Sequence, residues 1–481
     1  METIEHPTQT AANEKVADAD ITAAIETLFE TRRGVSAHLI DVVTHDGVVE
    51  LTGFTDNLLA RQRAEEIALA VRGVRAVLNE VAIRTPEISD AELRRHVGRA
   101  LAHDPATSDY NVTCTVADGG VTVSGAVQNW MEKQLVLRVL RGVRGVHRLD
   151  VTELQVRGGE NLNSDEEITT EIRELLDWDI RVNGALVDVL TQHRAVRLSG
   201  TVGSASEKER LISLAYQAGA RQVDAHDLFV ADWALVGGLR REKFAARADE
   251  DIAQAVRTAF RYDPRVRSAA PAVQVYHGYV TLSGTVGNLR AKLDAEQDAR
   301  HVVGVWDVQN RLKVRPPHTL FDPEIRQNIK DALARDPYLA DFGLGVVVLN
   351  GKAYLDGHVG NHFEQEHATD VAAGIGGVAE VANRLVVAGT TCATGLRLPN
   401  PGPGRRQPAP LNPDRALAER IRRRLHWSAE LYHQDVHVKA ENEVVTLTGT
   451  VDSWFEREQA GFEAYEAGAC FVNNDLQVRP A

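Results

Sequence analysis

The feature that most constrains this chain is an apolar-x-apolar-x-Gly run that returns six times. It stands at Val49-Leu51-Gly53, Val121-Val123-Gly125, Val196-Leu198-Gly200, Val280-Leu282-Gly284, Ala353-Leu355-Gly357 and Val445-Leu447-Gly449. A fixed internal period means one supersecondary unit built repeatedly. Alternation at period two marks a half-buried strand. The closing glycine fits a sharp exit or a close backbone approach. Four residues beyond each glycine stands Asn57, Asn129, Ser204, Asn288, Asn361 or Ser453. Asn and Ser are preferred helix N-caps, because a side-chain oxygen accepts from a free amide of the first turn. In four copies Glu132, Glu207, Glu364 or Glu456 follows three residues later, the pattern of a capping box. A helix therefore starts there in every copy.

The flanking residues complete the unit. Each helix is followed by Gly-Val or Gly-Ala, as at Gly73-Val74 and Gly468-Ala469, where glycine suits a C-cap. Gly374-Ile-Gly376-Gly377 belongs to this class, since it closes a helix and does not open one after a strand as a phosphate loop would. Four copies then carry apolar-x-Asn-x-apolar around Asn79, Asn310, Asn383 and Asn474, asparagines expected to satisfy backbone groups at a strand edge. The second and third copies hold one extra residue here, read as a bulge. Upstream, an apolar stripe at helical spacing (Ile21-Ile25-Leu28 through Leu417-Ile421-Leu425) follows an acidic stretch. Asp46-Gly47, Asp118-Gly119, His277-Gly278 and Asn350-Gly351 mark tight hairpin turns, with His193-Arg194 in place of the glycine pair in the third copy.

The unit reads helix, strand, turn, strand, helix, strand. The fold class is α+β: a tandem array of six αββαβ domains, each a three-stranded mixed sheet with both helices on one face. The units span 18–84, 89–156, 164–231, 248–315, 321–387 and 413–479. Residues 388–412, rich in Pro, Gly and Arg, read as a linker. It is expected to leave the sixth unit loosely tethered, and Asp232–Arg247 reads as a shorter joint.

The run Val445 to Val451, the capped helix, and Val472-x-Asn474-x-Leu476-x-Val478 together resemble the BON domain, a module of osmotically induced and envelope-associated bacterial proteins. The likeness covers nearly the whole chain outside the linkers. It implies envelope integrity, stress adaptation and phospholipid contact, and its motif is structural rather than catalytic. The expected function is a non-enzymatic binding or scaffold protein of stress or envelope adaptation, contacting phospholipid or protein partners. The alternative is a cytoplasmic sensor of a small ligand or ion, and an enzyme stands third.

Charge enters at this point. A net charge of −14 opposes non-specific attraction to nucleic acid or anionic membrane. Against it, Arg420, Arg422, Arg423 and Arg424 crowd the first helix of the sixth repeat, beside Arg415 and shortly after Arg405-Arg406. They are the candidate contact to an anionic surface, weighed against a solvated helix face. Gly53, Gly125, Gly200, Gly284, Gly357 and Gly449 are structural. No cofactor, metal or catalytic residue is expected: His433 and His437 lie on a strand-like segment where a metal pair would favour spacing two, and read as surface histidines. Trp130 and Trp454, one residue past their N-caps, read as packing residues. Cys114, Cys392 and Cys470 form no C-x-x-C, so neither a disulfide nor a zinc site is expected. With no apolar stretch of about 20 residues and a polar segment from Met1 to Asp20, the expected location is cytoplasmic, peripheral to the inner membrane at most. Self-association is left open.

Overall fold

The computed structural model describes residues 16–478 apart from 32, 33, 36, 86, 87, 158–162, 236–242, 245, 246, 317–319, 388–412 and 443. The 388–412 linker, with Arg405 and Arg406, lies outside the described residues.

Each repeat begins with a helix: Asp18–Thr31, Asp90–His103, Asp165–Trp178, Asp249–Tyr262, Asp322–Arg335 and Pro413–Trp427. A hairpin follows, then a second helix: Leu58–Leu69, Trp130–Arg141, Ala205–Gln217, Leu289–Arg300, His362–Ala373 and Trp454–Glu466. A last strand returns parallel to the second hairpin strand, which is central in each three- or four-stranded sheet. In repeat 4 both strands are interrupted, and Thr285–Val286 pairs with Lys313–Val314 as a separate two-stranded sheet. Leu51, Val123, Leu198, Leu282, Leu355 and Leu447, from the central strands, are each 0% exposed. Burying one such side chain contributes about 1.5–3 kcal/mol. The last strand carries its extra residue in the second and third repeats. Gly120 pairs with Arg148 but Gly125 with Leu154, and Ala195 with Gln222 but Gly200 with Leu228, so one residue is gained within each strand.

The closing glycines are explained by the hairpin. Gly449 has φ of 120°, and a Cβ there would stand 1.9 Å from the Asp435 carbonyl oxygen. Only glycine tolerates both the conformation and the contact. The N-caps act as expected: Asn57, Asn129, Ser204, Asn288, Asn361 and Ser453 each accept from the amide three residues on. The glutamates differ from the capping-box expectation. Glu132, Glu207 and Glu364 accept from the amide one residue before the cap, that of Gln128, Gly203 and Gly360 at 2.7, 2.7 and 2.6 Å. The reciprocal box is formed instead on a first helix, between Ser164 and Glu167. The recurrent asparagines join helix to strand: Asn310 Nδ2 donates to the Lys292 carbonyl at 2.8 Å while its Oδ1 accepts from the Leu312 amide at 3.2 Å. Asn79, Asn383 and Asn474 repeat this arrangement.

Repeats, distant or consecutive in sequence, are joined through helix ends. Repeat 1 meets repeat 6, where the Arg72 amide donates to the Trp427 carbonyl and the Ala429 amide to the Ala70 carbonyl, at 2.9 and 3.0 Å. Repeat 2 meets repeat 5 through Arg144 and Arg335 at 2.8 Å, and repeat 3 meets repeat 4 through Ile180 and His301 at 2.9 Å. A second set joins repeat 2 to repeat 4, with Arg265 on Asp104 at 2.7 Å, and repeat 1 to repeat 5, with the Tyr338 hydroxyl on the Gly34 carbonyl at 3.0 Å. The second helix of repeat 3 packs on those of repeats 1 and 2, and that of repeat 5 on those of repeats 4 and 6. Trp130, expected only to pack at its own helix entrance, stacks on Tyr216 of repeat 3 at 5.5 Å. The sixth repeat is therefore docked, which corrects the expectation of a loose tether. The joint also works as structure: Lys243 is buried with its Nζ on the Leu176, Asp179 and Val182 carbonyls, closing the first helix of repeat 3.

Candidate functional site

The arginine cluster occupies the helix Pro413–Trp427, whose buried stripe is Leu417, Ile421 and Leu425 as its spacing implies. Arg422 and Arg423 are exposed, and Arg422 donates to the Val438 carbonyl at 2.8 Å. Arg420 is exposed and donates to the Ala467 carbonyl at 3.2 Å. Arg424 is different. Its side chain is 4% exposed, its Nε lies 2.8 Å from Glu463, and its Nη1 donates to Thr31 of repeat 1. The spacing put Arg424 on the flank of the buried stripe, but the docked first repeat covers that flank. Arg424 is an interface residue and not a contact to an outside surface. Arg420 and Arg423 line, with Thr27 and Trp427, a cleft of about 370 Å³ between the first helices of repeats 1 and 6.

Two details went unread in the sequence. The acid that opens each first helix clamps the hairpin turn of its own repeat. Asp249 accepts from the His277 and Gly278 amides at 2.8 and 3.0 Å, and Asp18, Asp90, Asp165 and Asp322 do the same. In the third repeat this holds His193 and Arg194, both at positive φ (51° and 61°), without a glycine. Hydrogen bonds from the Arg194 and His193 amides hold the Asp165 carboxyl below its ordinary range, and those from Gly278 and His277 do so for Asp249. The second is a trio, His433, Asp452 and Glu456, whose ligand atoms lie within 4.8 Å of one another. Among the described residues it is the one group of this kind able to hold a metal ion. Its members are already engaged: the Gln434 amide donates to Asp452 at 2.8 Å and lies 3.0 Å from His433 Nε2, and Glu456 meets the Ser453 hydroxyl. His437 stands apart and is exposed.

Charge is concentrated where repeats meet. Burial raises the Asp179 carboxyl, but Arg181 and Arg210 outweigh it and hold it well below the usual range. Burial, with the nearby arginines, pushes His301 down to about 3. At the equivalent joint of repeat 5, burial works against the charged form of His367, yet Asp336 at 2.7 Å raises its pKa. Burial pushes the half-buried Cys114 thiol up to about 11. Cys470 is disulfide-bonded, which corrects the expectation of a chain without disulfides; its partner lies outside the described residues. No helix among the described residues is long and apolar enough to cross a membrane.

A family model described as BON domain matches residues 17–85, 89–158, 164–228, 248–316, 321–389 and 413–480. Among solved structures, the C-terminal domain of CdsD, the structural protein of the type III secretion system of Chlamydia trachomatis, is 15% identical. That match covers 48% of this chain and 100% of that one, at a TM-score of 0.13. A second CdsD structure is 16% identical and covers 44% and 91%, at a TM-score of 0.12. Overlap this low carries no argument about the present chain. No curated protein matches it.

Proposed function

The chain belongs to the BON domain family, and from that premise we propose that it is a non-enzymatic binding scaffold of envelope or stress adaptation that contacts anionic phospholipid. The observation that carries this reading is the orientation of the repeats. Contacts between them run through helices and helix ends, so the helix-free face of each sheet is left for a partner. Large apolar side chains stand on those faces, among them Leu78, Leu190, Tyr276, Leu349 and Phe471 at 55–73% exposure. Apolar sheet faces suit a headgroup layer. The exposed Arg420, Arg422 and Arg423, which stand on a helix and not on those faces, supply a separate contact in which each basic residue contributes about 1 kcal/mol near an anionic surface.

The test is flotation of the full chain with phosphatidylglycerol and phosphatidylcholine vesicles at two salt concentrations. Preference for the anionic vesicle, weakened by salt and by Arg420→Glu, Arg422→Glu and Arg423→Glu together, supports the reading. No binding to either vesicle overturns the lipid contact and leaves a protein partner for the scaffold. Location belongs to the same proposal: we place the chain in the cytoplasm, at the inner face of the membrane. Fractionation of intact cells tests that: recovery with the cytosol or the inner membrane supports it, and recovery outside the inner membrane overturns it.

A further inference from the structure

Repeats 2, 3 and 4 enclose a space between them. The cavity measures about 670 Å³, and small-molecule sites run from roughly 300 to 1,000 Å³. Its wall is made of helices. The second helix of repeat 2 supplies Arg138, repeat 3 supplies Trp178 and Arg210, and repeat 4 supplies Arg290 and Asp298. A junction that served packing alone would pair its charges internally, and most of these are paired. Arg181 and Arg210 both close on Asp179 at 2.7 Å. Arg290 holds Asp294 and Asp370, each at 2.9 Å.

Two groups are left over. Among the described residues, no hydrogen bond or ion pair reaches the Arg138 guanidinium. Arg138 and Arg290 also line an adjoining cavity of about 290 Å³, so the two spaces meet at these side chains. Arg138 is accessible, and the surrounding protein desolvates it enough to lower its pKa, with Arg265 adding to the effect. The second group is Asp298, whose Oδ2 is buried with no hydrogen-bond partner. Burial raises its carboxyl well above the usual range, and the neighbouring Asp263 and Asp294 carboxylates raise it further, Asp263 also through a side-chain hydrogen bond to the group. A buried carboxyl oxygen without a partner is costly, and the accessible Arg138 guanidinium is open to an acceptor. Both sit in the wall of one space of metabolite size.

We propose that this cavity binds a small hydroxylated organic anion, with the Arg138 fork holding its carboxylate or phosphate and Asp298 Oδ2 meeting a hydroxyl. The planar guanidinium matches either oxyanion. A ligand here touches three repeats at once and so couples their packing. The site is independent of the outward sheet faces and of any lipid contact there.

Calorimetry on the full chain with citrate, glycerol 3-phosphate and glycerol separates carboxylate, phosphate and uncharged hydroxyl. At least one anion is expected to bind at millimolar concentration or below and glycerol not to bind. Arg138→Gln is expected to weaken the anion about 10- to 100-fold, the value of one charge-assisted hydrogen bond. Arg415→Gln, on an exposed helix face, is expected to bind as the parent does. Hydrogen exchange gives a readout that needs no variant: protection should rise at residues 174–181 and 290–301 when the anion binds. The proposal is overturned if neither anion binds, if glycerol binds equally, if a folded Arg138→Gln binds unchanged, or if protection rises elsewhere instead. Should Arg138→Gln not fold, Arg138→Lys keeps the charge and loses the fork, and unchanged affinity there overturns the fork's role.

Discussion

Replacing Glu463 by Leu tests whether Arg424 is a structural residue of the sixth repeat. The two side chains are 2% and 4% exposed and meet at 2.8 Å. Removing one member of a buried pair leaves the other charge without its counter-ion, a loss of about 3–5 kcal/mol. Replacing both with apolar residues of similar volume is often neutral. Glu463→Leu should therefore destabilise repeat 6 by about 4 kcal/mol, while Arg424→Met with Glu463→Leu recovers most of it. Thr31 tolerates the double change, because its hydroxyl also lies 2.9 Å from the Thr27 carbonyl. Arg423→Ala, on the exposed side, should stay within about 0.5 kcal/mol. Urea denaturation followed by tryptophan emission reads all three, since Trp427 packs against the core of repeat 1. With a slope near 2 kcal/mol/M, the single change moves the repeat's midpoint down by about 2 M. A single variant as mild as Arg423→Ala, or a double variant as unstable as the single, would refute the reasoning.

Glycine substitutions should split by environment. Gly449→Ala, at positive φ against a backbone oxygen, should cost about 2 kcal/mol or more, whereas Gly98→Ala, in a helix with nothing within 4 Å of the added carbon, should gain about 0.5–1 kcal/mol; thermal melts should rank them on opposite sides of the parent. The turn clamps should be acid-labile. Asp165 and Asp249 have depressed carboxyls, so their contribution is complete above the ordinary Asp value and disappears as pH falls through the depressed one; exchange protection at the amides of His193, Arg194, His277 and Gly278 should follow that titration, and protection independent of pH would exclude the clamp. The His367–Asp336 pair has the opposite sign. With a raised His367, its contribution is full below the ordinary histidine value and is lost as pH rises through the raised one; urea midpoints between about pH 6 and about pH 9 should fall in the parent and stay flatter in Asp336→Asn.

Most of what lies within a repeat was legible because it is local. Period-two strands, N-caps and positive-φ turns are set by residues a few positions apart, and each recurs often enough to be seen. The asparagine column was read correctly as satisfying backbone groups, though not as the link between helix and strand, which spans 18 residues at Asn310. The aspartate clamp left a signal that was available: an Asp stands 28 residues before the first turn residue in repeat after repeat. Within its own helix it reads only as part of the acidic stretch, since that description needs no distant partner. Arg424 was placed on a solvent-facing flank because helical spacing reports only which side faces the repeat's own core. Nothing in that spacing shows that a second repeat covers the adjoining face. The cavity between repeats 2, 3 and 4 was not legible at all, since its walls come from three units whose juxtaposition no local pattern encodes.

The pairing of repeats 1 and 6 has a simple energetic basis. Arg141 and Gln62, in adjacent repeats, are 79 residues apart, and Arg424 and Thr31, in the first and last, are 393 apart. Loop-closure entropy rises with the logarithm of length, about 0.6 kcal/mol per doubling, so the fivefold longer closure costs only about 1.4 kcal/mol more. The backbone hydrogen bonds of Arg72 and Ala429 across that joint, each contributing about 0.5–1.5 kcal/mol, are enough to offset the difference. Order along the chain therefore hardly constrains which repeats dock, whereas helix faces and helix ends do. Units of about 67 residues bury only roughly 60% of their unfolded surface, so each gains by covering its helices with any compatible neighbour. A chain of six such units gathers helices together with little regard to linker length, and the sheet faces that carry no helix stay out of those contacts.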